Sequence, residues 1–217
     1  MRVGKRLLAL LFFVPGLALA HEYWIALEHY PPALAQAVKV VLGGGHSFPQ
    51  SDIALSDRVL QETYLFTPDG KKLTYPSVEE KGRRVGEITL ALEGEYLLSF
   101  SVQRPGQSEP QYCAKAIIVA GKGGKGKLSY QTGCILEIVP ESEISSLRVG
   151  GELRLKVLYQ GQPIRGTLQV SIEGKKNFFV QTDSQGMARL ALSRPGRYLM
   201  TVSHQSKGSS LSFYLGE

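Results

Sequence analysis

The stretch VGEITLALEGEYLLSFSVQ (Val85–Gln103) decides the fold class. Both of its halves, VGEITLAL and GEYLLSFSVQ, alternate or run apolar with β-branched and aromatic residues, and Gly94 punctuates them. The same texture extends outward. AVKVVLGG (Ala37–Gly44) and RVLQETYLFTPDG (Arg58–Gly70) read as further strands, and TPDGKKL (Thr67–Leu73) reads as a turn. There Pro presets φ, Asp caps locally and Gly accepts a positive φ. No segment sustains a 3.6-residue period. The weak helical candidate SDIALSDRVL (Ser51–Leu60) holds a turn or two at most. The class is all-β, and the spacing of short strands predicts sandwiches of the immunoglobulin or transthyretin-like kind.

Two consecutive sandwich domains are expected, residues 21–140 and 141–217. The boundary sits in EIVPESEISSLRVGG (Glu137–Gly151), where one strand ends at Pro140 and a polar stretch precedes ELRLKVLYQGQPI (Glu152–Ile164). Beyond their shared β character, no internal repeat is visible between the halves.

Residues 1–20 read as a cleaved signal peptide. Arg2, Lys5 and Arg6 precede the apolar LLALLFFV (Leu7–Val14), and Ala18-Leu19-Ala20 gives the small-x-small pattern that signal peptidase accepts. The apolar run is too short to span a bilayer, so no stable membrane anchor is expected. The product is an exported, periplasmic protein that begins at His21. Of the formal charge of +6, the three from Arg2, Lys5 and Arg6 leave with the peptide, so the mature chain carries +3. Part of that charge lies in GKGGKGK (Gly121–Lys127), a solvated Gly-rich connection without aromatic interleaving, so no nucleic-acid partner is expected. Cys113 and Cys134 are the only cysteines, and an even count in an oxidising compartment predicts one disulfide.

In the second half, GQPIRG, TDSQG (Thr182–Gly186) and PGRY (Pro195–Tyr198) resemble the recurring hairpin, turn and strand of carboxypeptidase-regulatory or Cna-B type domains. That resemblance implies a fold and no activity. The whole mature chain is similar to a family of exported proteins of unknown function whose genes often accompany nickel or cobalt uptake transporters. The residues that carry it are AHEYW (Ala20–Trp24), GGHSFP (Gly44–Pro49), YCAKAIIV (Tyr112–Val119), LEIVP (Leu136–Pro140), LYQGQPIRGTLQV (Leu158–Val170) and GRYLMTVSH (Gly196–His204). The resemblance implies a periplasmic nickel-uptake component, with an inner-membrane transporter as partner.

The four histidines are His21, His29, His46 and His204. As the first mature residue, His21 offers an α-amine, whose ordinary pKa near 8 lets a metal displace its proton, together with its imidazole. A second imidazole would complete the three-nitrogen "histidine brace". Such donors suit Ni(II), Co(II) and Cu(II). His46 is the best second ligand, because the glycines of LGGGHSFP leave it at a loop apex. His204, at a strand end in the second domain, joins if the domains pack against each other. His29 stands roughly 26 Å from His21 on a strand rising about 3.3 Å per residue, too far to share an ion unless the chain bends. The expected metal ligands are therefore His21, His46 and His204, with nickel, or else cobalt or copper, as the ion. Glu22 and Glu28 could add an oxygen ligand, although exposed glutamates are ordinary, and Trp24 is core or inter-domain packing.

Catalytic patterns are missing. The sequence holds no G-x-S-x-G, H-E-x-x-H or Walker loop, and no enzyme is expected. A metal-binding accessory protein for nickel or cobalt uptake leads. A non-catalytic envelope interaction protein and a copper-binding histidine-brace protein are the alternatives, and the oligomeric state is open.

Overall fold

The computed structural model describes residues 21–217; the expected signal peptide lies outside them. In chain order its strands are β1 (Glu22–Leu27), β2 (Ala37–Gly45), β3 (Tyr64–Phe66), β4 (Lys72–Thr74), β5 (Ser77–Glu80), β6 (Arg83–Thr89), β7 (Gly94–Val102) and β8 (Tyr112–Ala120). They continue with β9 (Leu136–Pro140), β10 (Glu152–Tyr159), β11 (Gln162–Pro163), β12 (Thr167–Ile172), β13 (Phe178–Gln181), β14 (Met187–Ala191), β15 (Gly196–His204) and β16 (Lys207–Leu215). A 3-10 turn spans Ile144–Ser146. The fold is all-β, and its strands form stacked sheets.

The two strands of Val85–Gln103 do not pair with each other. β6 belongs to a four-stranded sheet ordered β1-β2-β6-β5, and β7 belongs to an eight-stranded sheet ordered β13-β12-β15-β16-β8-β7-β3-β4. The chain therefore changes layers at Leu90–Glu93, as a sandwich requires. Tyr96 fixes that corner: its hydroxyl accepts from Leu92 N–H at 2.7 Å and donates to Leu92 C=O at 2.9 Å. The second half repeats the device. Tyr198 donates to Arg194 C=O at 2.7 Å, where the chain passes from β14 into β15. Both tyrosines follow by two residues a glycine at positive φ, Gly94 at 133° and Gly196 at 136°. These paired tyrosine corners are an internal repeat, EGEYLL against PGRYLM, that short sequence similarity hides.

A third sheet is built on β10, which pairs with β9, β11 and β14. The eight-stranded sheet lies between the other two. Leu97, Ile117, Tyr198, Met200, Leu211 and Phe213 point from one of its faces toward β9, β10 and β14. Tyr96, Leu98, Phe100, Ala114, Ala116 and Ile118 point from the opposite face toward β1, β2 and β6. This period-2 division follows from the pleat. The expected boundary at residues 140–141 falls at the end of β9, and hydrogen bonding continues on both sides of it. β9 pairs with β10, and β8 pairs in parallel with β16 from Tyr112↔Gly208 to Ile117↔Phe213.

β1 is the edge of its sheet, and β16 supports it. Ser210 and Ser212 lie two residues apart on one face of β16 and donate to the Tyr23 and Ile25 carbonyls, each at 2.5 Å. The edge strand's acceptors are thereby satisfied in a dry interface, and the edge is covered. The predicted disulfide joins Cys113 to Cys134, with Cα atoms 6.4 Å apart and a sequence separation of 21. Such a bond marks an oxidising compartment. Replacing both cysteines with serine is expected to lower the unfolding free energy by about 3 kcal/mol, because the denatured chain regains the closed loop's freedom. Urea unfolding of the two forms checks this; coincident midpoints would contradict it. No helix among the described residues is long and apolar enough to cross a membrane.

Candidate metal centre

The β1–β2 ladder pairs Glu22 with Gly45, Tyr23 with Gly44 and Trp24 with Gly43. Carried one residue further, the same register sets His21 opposite His46. Directly opposed residues on an antiparallel pair point to one face with their Cβ atoms about 5 Å apart. The two imidazole centroids lie 5.1 Å apart with the rings tilted by 46°, and both side chains are exposed. Two imidazoles holding one ion at about 2.1 Å would set their centroids about 4.5 to 6.4 Å apart, for ligand angles from 90° to 180°. The observed spacing lies inside that range, so spacing and donor chemistry fit a late first-row divalent ion.

The glycine run does more than shape a loop. Gly43–Gly45 are the last three residues of β2, and His46 follows the strand end directly. A Cβ on Gly43 would stand 2.2 Å from Trp24 Nε1, and one on Gly44 would stand 2.9 Å from the Tyr23 ring. The glycines thus admit the two aromatic rings of β1, which lie on opposite faces of the ladder. Trp24 is fully buried against Ala26, Leu199 and Phe48, with the Phe48 ring edge-on at 5.6 Å. Trp24 is core, as its pairing demands.

Glu22 departs from the reading of an ordinary exposed glutamate. It is partly buried, and its Oε1 accepts from Thr201 Oγ1 at 3.2 Å and from Gln169 Nε2. Burial holds its carboxyl above the usual range, opposed by the Thr201 hydrogen bond and by the charge of His46. Because β12 and β15 belong to the second half of the chain, Glu22 ties the residue after His21 to that half and keeps the strand end from fraying.

His204 closes β15 elsewhere. Its ring lies edge-on to Tyr159 at 4.7 Å, and among the described residues no group of three or more His, Cys, Asp or Glu side chains is placed to hold a metal. The structure thus brings His21 and His46 together and does not add His204 as a third side chain. His29 is exposed beyond the far end of β1, past Leu27. A pocket of about 330 Å³ beside His21 is lined by Arg104, Gln107 and Gln111 from the β7–β8 connection. Sequence reading did not find these residues. Their one local signal is the turn sequence RPGQ (Arg104–Gln107).

Layered β-sheets of the immunoglobulin and fibronectin kind, carrying two exposed imidazoles at the end of an edge hairpin, define the class. A family model described as "Domain of unknown function (DUF4198)" matches residues 18–206, and the chain belongs to that family. Among solved structures it is similar to a tetra-tandem repeat from the extending region of a large adhesion protein. That match has 12% identity and a TM-score of 0.34, covering 90% of this chain and 48% of the other. The chain thus spans about half the length of that structure. It is also similar to the D0-D1 domain of intimin, at 12% identity and TM-score 0.27, covering 91% and 100%. A two-domain fibronectin type-III segment of chicken tenascin matches at 13% identity and TM-score 0.27, covering 88% and 98%. At such identities the likeness concerns fold alone. No curated protein matches the chain.

Proposed function

We propose that this is a periplasmic transition-metal-binding accessory protein for nickel or cobalt uptake. It takes up its ion through the amine and imidazole of a mature N-terminal His21 together with His46, and it hands the ion to an inner-membrane transporter. The observation that carries the reading is the pair of exposed imidazoles 5.1 Å apart across the β1–β2 ladder. A third nitrogen then comes from the His21 α-amine, created when the chain is cut after Ala20, rather than from His204. The ion is cargo, and the chemistry is ligand exchange: amine and imidazoles give up protons to bind it and yield it to a stronger receiver. Exposure of both rings keeps the exchange open to solvent. The Cys113–Cys134 disulfide agrees with an exported chain, and the resemblance to proteins encoded beside nickel and cobalt transporters supports nickel or cobalt as the cargo.

The test is calorimetric titration of Ni(II) and Cu(II) into the mature chain beginning at His21 and into the same chain with one added N-terminal Gly. The added residue is expected to weaken binding at least tenfold, as is His46→Ala, whereas His204→Ala stays within twofold. Equal binding by the native and Gly-extended forms defeats the brace. Binding of copper alone, with oxidation of ascorbate by the copper form, favours a copper-binding histidine-brace protein. Failure to bind either ion leaves the non-catalytic envelope interaction protein.

A further inference from the structure

The pocket beside His21 has the chemistry of a carboxylate site. One wall is the turn Arg104-Pro105-Gly106-Gln107, closed by Gln107 N–H to Arg104 C=O at 3.1 Å. Gly106 has φ of +81° and Pro precedes it, the arrangement of a type II turn, so the two flanking side chains are presented from a stiff support. Gln111 braces the same turn, its Oε1 accepting from Arg104 N–H at 2.8 Å. The Arg104 side chain is exposed, and no carboxylate among the described residues pairs with it. The remaining wall includes Val102, Tyr23 and the buried Tyr112. A guanidinium fork without a carboxylate partner, in one pocket with a ring of the proposed metal site, suits a small planar anion.

We infer that this pocket receives the carboxylate of a small chelating acid bound to the same ion, with Arg104 holding the carboxylate while His21 and His46 hold the metal. The inference rests on the metal reading above. Three protein nitrogens leave coordination positions free on a late first-row ion, and a carboxylate with a hydroxyl or amine on the next carbon fills two of them. The cargo is then taken up as a mixed-ligand complex of an α-hydroxy or α-amino acid, and its recognition depends on both parts.

The probe is lactate, titrated by calorimetry into the nickel-saturated mature protein, into its Arg104→Met variant and into the nickel-free protein. Nickel affinity is measured first for both forms and is expected to agree within twofold, because Arg104 is not a proposed ligand. Lactate is expected to bind the nickel-loaded native protein and to bind the Arg104→Met form at least tenfold more weakly, the usual effect of losing a charge-assisted hydrogen bond. Equal lactate affinity in the two loaded forms overturns the pocket while leaving the metal reading intact. Lactate binding as well to nickel-free protein overturns the mixed-ligand form. Absence of nickel binding to the native protein removes the metal reading, and the pocket with it.

Discussion

Gly43→Val is expected to destabilise the protein by about 4 kcal/mol and to weaken nickel binding at the same time. Strand geometry tolerates a β-branched residue, so backbone preference is not the cause. The cause is the indole opposite. A Cβ at position 43 would lie 2.2 Å from Trp24 Nε1 and 2.4 Å from Cε2. The ring cannot retreat, because Phe48, Ala26 and Leu199 close its other sides and it is fully buried. Insertion into a packed core commonly costs 1–3 kcal/mol, and displacing a buried tryptophan adds part of its burial energy, giving a total of about 4 kcal/mol. Relief comes most cheaply by spreading β1 from β2, and that motion separates His21 from His46. Gly44→Ala is the control. Its Cβ would meet the edge of the partly buried Tyr23 ring at 2.9 Å, which can swing, so a loss of about 1 kcal/mol is expected. Chemical unfolding and nickel titration of the two variants check the order. A Gly43→Val protein within 1 kcal/mol of the native one would show that the indole is not wedged.

That glycine run also shows where sequence reading stops. LGGGHSFP suggests a loop apex, since nothing local says that each glycine faces an aromatic or acidic residue of a strand about twenty positions earlier. Once the Glu22↔Gly45 pairing is known, the meeting of His21 and His46 follows by arithmetic, but register is set by burial on both faces and is not written in either segment alone. The strands themselves were legible, because period-2 alternation and Gly, Pro and Asp-Gly turns are local signals. The disulfide followed from a count of two. What joins the halves was not legible: the parallel β8–β16 pair, the Ser210 and Ser212 hydroxyls under β1, and Glu22 reaching Thr201 are contacts between residues about a hundred positions apart or more. The matching tyrosine corners at Tyr96 and Tyr198 sit between those extremes. Each leaves only Gly-x-Tyr in the sequence, and its meaning is a hydrogen bond four residues back.

Lys115→Met is expected to cost about 3–5 kcal/mol, although it replaces a charge by an apolar side chain of similar length in the middle of a core strand. Lys115 is fully buried on β8, its Nζ donating to Tyr130 C=O at 2.8 Å and standing 3.7 Å from Glu137 Oε1. That carboxylate also accepts from Thr132 N–H at 2.7 Å, Thr132 Oγ1 at 2.6 Å and Cys134 N–H at 3.1 Å, which shapes the segment entering the disulfide. A second buried carboxylate, Glu95, accepts from Tyr130 Oη and from Ser145 N–H at 2.6 Å. Removing Lys115 leaves Glu137 charged and dry without its cation. Lys115→Met combined with Glu137→Gln is expected to recover most of the loss, since the amide oxygen still accepts from residues 132 and 134 and no charge remains. Two single losses that simply add would show that the pair is not coupled. The same lysine sets the pH dependence. Burial lowers its ammonium from 10.5 to about 8, partly opposed by Glu137. Between about pH 8 and 10.5 the unfolded chain therefore binds more protons than the folded one, so stability rises with pH across that window, by up to about 3 kcal/mol. Burial holds Tyr30, Tyr75, Tyr112 and Tyr130 above the usual phenol range, so above about pH 10 the unfolded chain loses protons first and stability falls. The thermal midpoint should climb from pH 7.5 to about 9.5 and drop beyond 10.5. The climb should vanish in the Lys115→Met/Glu137→Gln protein while the alkaline drop stays, and a climb that persists there would assign it to another group.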